Sequence, residues 1–142
     1  MDVDGILDQV NEKTALVFIT NPNNPTGTYA TKKEFEKLLD GLPAHVIVVY
    51  DEVYYHFVDA ADFPFAIDYV NQRENLIALH TFSKIYGLAG LRVGYGFTSP
   101  KIGEYLNKIF RPFRIGNLAT VGAYAALKDT DHVKKSQEMV WK

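Results

Sequence analysis

Val46-Ile47-Val48-Val49-Tyr50, closed by Asp51-Glu52, is the stretch on which the fold turns. It is a continuous, largely β-branched run bounded by turn signals, as expected for a strand covered on both faces in a parallel sheet. Upstream, residues 15–20 read as a second buried strand, followed by the loop Asn21-Pro22-Asn23-Asn24-Pro25-Thr26-Gly27. Between loop and strand, Thr31-Lys32-Lys33-Glu34 is a capping-box pattern, and Phe35, Leu38 and Leu39 form the apolar stripe of the helix it starts. Gly41 and Pro43 end that helix. Further upstream, Ile6, Leu7 and Val10 have helical spacing and read as the tail of a helix.

Downstream, Leu76-Ile77-Ala78-Leu79-His80 is the third strand. Strand, helix and strand in alternation predict an α/β fold with right-handed crossovers and a mostly parallel sheet. The link from His80 to the next apolar run, residues 93–97, is short and punctuated by Gly87 and Gly90. It leaves little room for a crossover helix, so this last strand is predicted to run antiparallel. Ser99-Pro100 then starts a helix with Ile102, Tyr105, Leu106 and Ile109 on one face. Residues 118–127 continue as a small-residue helix, and Asp131 is expected to cap a last one.

With 142 residues, 47% of them hydrophobic and 23% charged, the chain has the size and composition of one globular domain or a piece of one. A domain of that length is expected to bury about 70% of its unfolded surface. The net charge of −2 gives no general attraction for nucleic acid or an anionic membrane, so partners are expected to be small molecules and protein. The absence of cysteine excludes disulfides, thiolate metal sites and a cysteine nucleophile. His45, His56, His80 and His132 lack metal-ligand spacing and are read as structural, so no metal is expected. The start Met1-Asp2-Val3-Asp4-Gly5 lacks the basic and apolar parts of a secretory signal, and the apolar runs are too short to span a bilayer. A cytoplasmic location follows as the default expectation.

Asn24, Asp51 and Lys84 all come after the carboxyl ends of predicted strands, which is where open α/β sheets bind ligands. Lys84 closes the run Thr81-Phe82-Ser83-Lys84, and Arg92 follows eight positions later. An amine, two small hydroxyls and a guanidinium suit a cofactor that carries both an aldehyde and a phosphate, namely pyridoxal 5'-phosphate. On this reading Lys84 forms the Schiff base, and Thr81, Ser83 and Arg92 hold the phosphate. Asp51 faces the pyridine nitrogen and keeps it protonated, which strengthens the ring as an electron sink. Asn24 and Tyr54 carry donors for the phenolic oxygen; the alternatives are an Asx-turn for Asn24 and core packing for Tyr54. Glu52 reads equally well as a solvated or structural carboxylate or as a catalytic one. A strand followed by Asp51-Glu52 also imitates the magnesium-holding acid of a P-loop ATPase, but no G-x-x-x-x-G-K-[ST] loop occurs.

These segments, NPNNPTG, DEVY and TFSK…GLAGLRVG, resemble those of the fold-type I pyridoxal-phosphate enzymes, the aspartate aminotransferase superfamily, and look most like histidinol-phosphate aminotransferases. The resemblance implies the roles just given for Asn24, Asp51, Tyr54, Thr81, Ser83, Lys84 and Arg92. It also implies that residues 1–142 are the central part of a cofactor-binding large domain with helices on both sheet faces, without its amino-terminal segment or its carboxyl-terminal small domain. The aromatic ring that stacks on the pyridine and the arginine that grips the substrate carboxylate belong to those absent parts. Both borders of the sheet should then be unpaired edges. The implied reaction moves an amino group from a small-molecule donor, L-histidinol phosphate in the nearest subfamily, to a 2-oxo acid such as 2-oxoglutarate, in a protein that is homodimeric at full length. Pro112-Phe113-Arg114-Ile115-Gly116 departs from the Pro-Phe-Asn-Val-Asn common in that subfamily. The superfamily pattern also admits decarboxylases and carbon–sulfur lyases, and a further alternative is a non-catalytic truncated fragment.

Overall fold

A computed structural model describes residues 1–142. Four strands form one sheet in the order β1-β2-β3-β4: β1 (Leu16–Thr20), β2 (Ile47–Asp51), β3 (Leu76–Thr81) and β4 (Gly94–Thr98). β1, β2 and β3 are parallel, and β4 returns antiparallel to β3, as the short glycine-punctuated link requires. β1 and β4 are the outer strands, so both borders are open edges, as expected.

The first crossover carries α2 (Lys32–Gly41). Thr31 accepts from the Glu34 amide while the Glu34 carboxylate accepts from the Thr31 amide, so the predicted capping box is formed. These bonds, with those to the Thr31 hydroxyl and the amino terminus, hold the Glu34 carboxyl down at about 2. Phe35 and Leu38 are fully buried against Val46, Val48, Tyr50, Leu76 and Ala78, and α1 (Val3–Gln9), capped by Asp2, packs alongside.

Strand alternation divides the sheet into two unlike faces. Ile19, Val48, Tyr50, Ala78 and His80 share the covered face, and register adds Tyr95 and Phe97 of β4 to it. Thr20, Asp51 and Thr81 point the other way, together with Phe18, which is 71% exposed.

Three helices follow the sheet: α3 (Pro100–Lys108), α4 (Asn117–Ala126) and α5 (Thr130–Val140). α3 starts at Ser99-Pro100 as expected, but of its predicted stripe only Ile102 is buried; Tyr105, Leu106 and Ile109 are exposed. The cap of α5 is Asp129, whose carboxylate accepts from the His132 amide; Asp131 sits in the first turn instead. Total exposed surface is 9483 Å². A compact monomer of this length exposes about 7,400 Å². Large apolar side chains stand exposed on α3, α4, α5, β1 and the α3–α4 link, where Phe113 is fully exposed, so burial falls short of the expectation for a self-contained domain. No helix is long and apolar enough to cross a membrane.

Candidate functional site

The loop after β1 is pinned at both ends by one buried side chain. Asn21 accepts from the Ala30 amide (2.7 Å) and donates to the Ala30 carbonyl (3.2 Å) and to the Tyr50 hydroxyl (2.6 Å). The Tyr50 hydroxyl donates onward to the Pro64 carbonyl at 3.0 Å. Local turn bonding falls to Asn23, whose amide group donates to Thr26. Asn24 is thereby free to reach across the sheet edge, and its Nδ2 donates to the Tyr54 hydroxyl at 3.0 Å. The Asx-turn alternative for Asn24 gives way to this long-range contact, and half-buried Tyr54 holds a polar partner at its tip.

Lys84 stands exposed after β3, with its Nζ 5.2 Å from the centre of the Tyr54 ring. Asn24, Tyr54 and Lys84, drawn from three separate loops, therefore converge. Asp51, on the opposite face at the end of β2, uses one carboxylate oxygen to accept from the Val53 amide at 3.2 Å. Its other oxygen has no protein partner. Thr81, one strand away on the same face, accepts from the Ser83 amide at 3.0 Å and so shapes the turn into Lys84.

Arg92 is placed differently. It is exposed, has left-handed backbone torsions (φ 51°, ψ 48°), and donates to the Ala89 carbonyl at 2.9 Å, leaving the rest of its guanidinium fork free. A non-glycine residue in that conformation costs roughly 1–3 kcal/mol and persists only where neighbours impose it. Tyr54 links Asn24, by a hydrogen bond, to Lys84, whose amine faces its ring; Asp51, Thr81, Ser83 and Arg92 join them by position along the same strand ends, without a hydrogen bond or ion pair to that trio. A cleft of about 770 Å³ opens beside Asn24 and Tyr54, walled also by Tyr29, Phe57, Asp59 and Val140. Asp51, Lys84 and Arg92 lie outside its lining.

α5 reaches back over this region. His132 bonds the Ile85 carbonyl next to Lys84 (3.0 Å), Gln137 donates to the His56 carbonyl, and Trp141 donates to the Phe57 carbonyl (2.9 Å). No local sequence pattern announces these contacts. Glu52, which the sequence left between three roles, is fully buried and bonded to His80. The signal for its burial was present: Tyr50 belongs to the core, and a period of two puts Glu52 on the same side. His56, half-buried against Tyr55 and Tyr86, is pushed down to about 4 by burial and, secondarily, by His80.

Three comparisons bear on this arrangement. The family model described as "Aminotransferase class I and II" matches residues 1–142. Histidinol-phosphate aminotransferase 1 of Nitrosococcus oceani is 45% identical over 138 residues, covering 97% of this chain and 37% of the relative. The histidinol-phosphate aminotransferase of Staphylococcus carnosus is 47% identical over 137 residues, covering 96% of this chain and 39% of the relative. The crystal structure of histidinol-phosphate aminotransferase from Sinorhizobium meliloti in complex with pyridoxal-5'-phosphate superposes with a TM-score of 0.88 at 33% identity, over 96% of this chain and 37% of that one. The chain thus spans under two fifths of the length of the relatives it matches.

Proposed function

The chain belongs to the class I and II aminotransferase family, and on that premise we propose that it is the central part of the large domain of a pyridoxal-phosphate-dependent aminotransferase. The observation that carries this reading is the meeting of Lys84 with the Asn24–Tyr54 pair at the carboxyl edge of the sheet, with Asp51 at the neighbouring strand end. The donor set fits the cofactor: a free amine, an amide–phenol pair, a carboxylate with one open oxygen, two hydroxyls and a guanidinium.

When bound, pyridoxal phosphate supplies an aldehyde that condenses with amines and a protonated ring that withdraws electrons from the substrate Cα. The Asp51 carboxylate would hold the proton on the ring nitrogen, since an anion in a partly desolvated site stabilises a nearby cation. Because Asn24 Nδ2 donates to the Tyr54 oxygen, the Tyr54 hydroxyl proton is left to donate to the phenolic oxygen. Thr81, Ser83 and the free part of the Arg92 fork bind the phosphate dianion. Lys84 Nζ would hold the cofactor through its aldehyde, and as a free amine it would be the base that takes a proton from the substrate Cα and gives it back.

The amino donor is L-histidinol phosphate, a reading supported by the names of the relatives, and the acceptor in this proposal is 2-oxoglutarate. The protein acts as a cytoplasmic homodimer at full length. Uncovered apolar side chains on α3 and α4 support its assembly with further structure. Spanning under two fifths of the relatives' length, the 142 residues alone are read as inactive. The test is glutamate formation from L-histidinol phosphate and 2-oxoglutarate by the complete polypeptide. Failure to form glutamate there, together with carbon dioxide released from a supplied amino acid or sulfide from a supplied sulfur amino acid, would assign it instead to the decarboxylases or carbon–sulfur lyases.

A further inference from the structure

Behind the candidate site, through the sheet, lies a buried polar chain to which the proposed reaction assigns no role. Glu52 is 1% exposed and His80 is 8% exposed. One Glu52 oxygen accepts from the Ala66 amide at 3.2 Å, and the other lies 2.7 Å from His80 Nε2. His80 Nδ1 is 3.1 Å from the Tyr95 hydroxyl. The Tyr55 ring stacks on the imidazole at 4.3 Å, and Tyr95 and Phe97 meet it edge-on at 5.0 and 5.1 Å. Side chains from the end of β2, from β3 and from β4 are thus tied in one line across three strands.

Alternation gives the line its meaning. The residues immediately before Glu52 and after His80 are Asp51 and Thr81, and they face the opposite side. We propose that Glu52 and His80 are positioning residues: beside the backbone bond from the Glu52 amide to the Leu79 carbonyl (3.2 Å), their contact ties the end of β2 to the end of β3 and so holds the separation of Asp51 from Thr81. This rests on the aminotransferase reading above, in which those two groups address opposite ends of one cofactor.

Stability alone does not account for the pair. Desolvating two ionisable groups offsets most of their attraction, and buried pairs of this kind are commonly replaced by apolar residues of similar volume without loss of stability. What an apolar pair lacks is a single preferred geometry: the Glu52–His80 contact is directional at both ends, whereas packed side chains slide. A site that must hold Asp51 and Thr81 to within a fraction of an ångström gains from the former.

The test uses the complete polypeptide, carrying Glu52→Met with His80→Phe, and reads pyridoxal phosphate affinity, the visible absorbance and circular dichroism of the bound cofactor, and its phosphorus resonance. Urea unfolding of the apoprotein is measured beside them. The expected result is an unfolding midpoint close to wild type, with cofactor affinity lower by roughly tenfold, the scale seen when outer partners of a bound group are removed, and with shifted cofactor signals. Glu52→Gln, which keeps a bond to His80, should restore most of the affinity. Tyr95→Phe, which loses only the last hydroxyl of the line, should move the same signals by less. A double variant that binds cofactor with unchanged affinity and spectra overturns the proposal, and so does one that fails to fold, because the pair is then needed for the fold as such. If the wild type itself acquires no visible band with pyridoxal phosphate, the aminotransferase reading fails and takes this inference with it. A wild-type band beside unmoved variants sinks the inference alone.

Discussion

Replacing Tyr50 by Phe removes one oxygen from the interior and leaves the ring against Phe35, 4.4 Å away between centroids. Tyr50 and Asn21 are 0% and 1% exposed, and Pro64 is among the fully buried residues. The hydroxyl accepts from Asn21 at 2.6 Å and donates to the Pro64 carbonyl at 3.0 Å. The substitution strands one amide hydrogen of Asn21 and one carbonyl, both at buried positions. An unpaired buried polar group costs roughly 1–3 kcal/mol. Relief of the hydroxyl's own desolvation offsets part of this, so the net loss is about 2–4 kcal/mol. Unfolding entropy near 2.1 cal/mol/K per residue gives about 0.3 kcal/mol/K for a chain of this size, hence a Tm lower by about 7–13 °C. Equilibrium urea unfolding of wild type and Tyr50→Phe supplies the free energy, and amide exchange at Ala30 reports whether the Asn24 loop has loosened. A loss below about 0.5 kcal/mol, with Ala30 exchange unchanged, would refute the claim that the Asn21–Tyr50 bond anchors that loop.

Other perturbations probe other parts of the account. Asp51→Asn should slow transamination by about 100-fold or more, the scale of losing an electrostatic stabiliser, and steady-state kinetics of the complete polypeptide checks it. Leu38→Ala, at a fully buried position under the sheet, should cost about 2–5 kcal/mol in urea unfolding and leave the cofactor spectrum unchanged. His56 titrates near 4 in the folded chain against an ordinary 6.5. Between those values the unfolded chain binds more protons than the folded one, so stability should rise with pH across that window. Urea midpoints measured from pH 4 to 7 should show this slope, and His56→Gln should flatten it. Midpoints that fall as pH rises would contradict the burial assigned to His56.

How much of this was legible beforehand follows from the range of each signal. β2 and β3 were plain because runs such as Val46 to Tyr50 carry their burial in their own composition. The turn of β4 was plain because Gly87 and Gly90 leave no length for a crossover. The Thr31–Glu34 box is local and formed as read. Periodicity, by contrast, marks an apolar face without saying what covers it, and on α3 the side chains of Tyr105, Leu106 and Ile109 are left open. The α5 cap fell to Asp129 because its carboxylate, three residues before His132, reaches that amide, while Asp131 is already inside the first turn. Within the site, motif order singled out Asn24, Tyr54 and Lys84, which the structure brings together, and Asp51 at the next strand end. The hold of α5 on the Ile85 and Phe57 carbonyls depends on side chains 47 and 84 residues away, beyond any local pattern.

The central claim is that Lys84 is the amine that holds the cofactor. Incubating the complete polypeptide with pyridoxal phosphate, reducing with borohydride and mapping the digest by mass spectrometry tests it directly. The expected result is a pyridoxyl group on the peptide containing Lys84, with labelling abolished in Lys84→Ala. A label carried by another lysine, or undiminished in that variant, would contradict it.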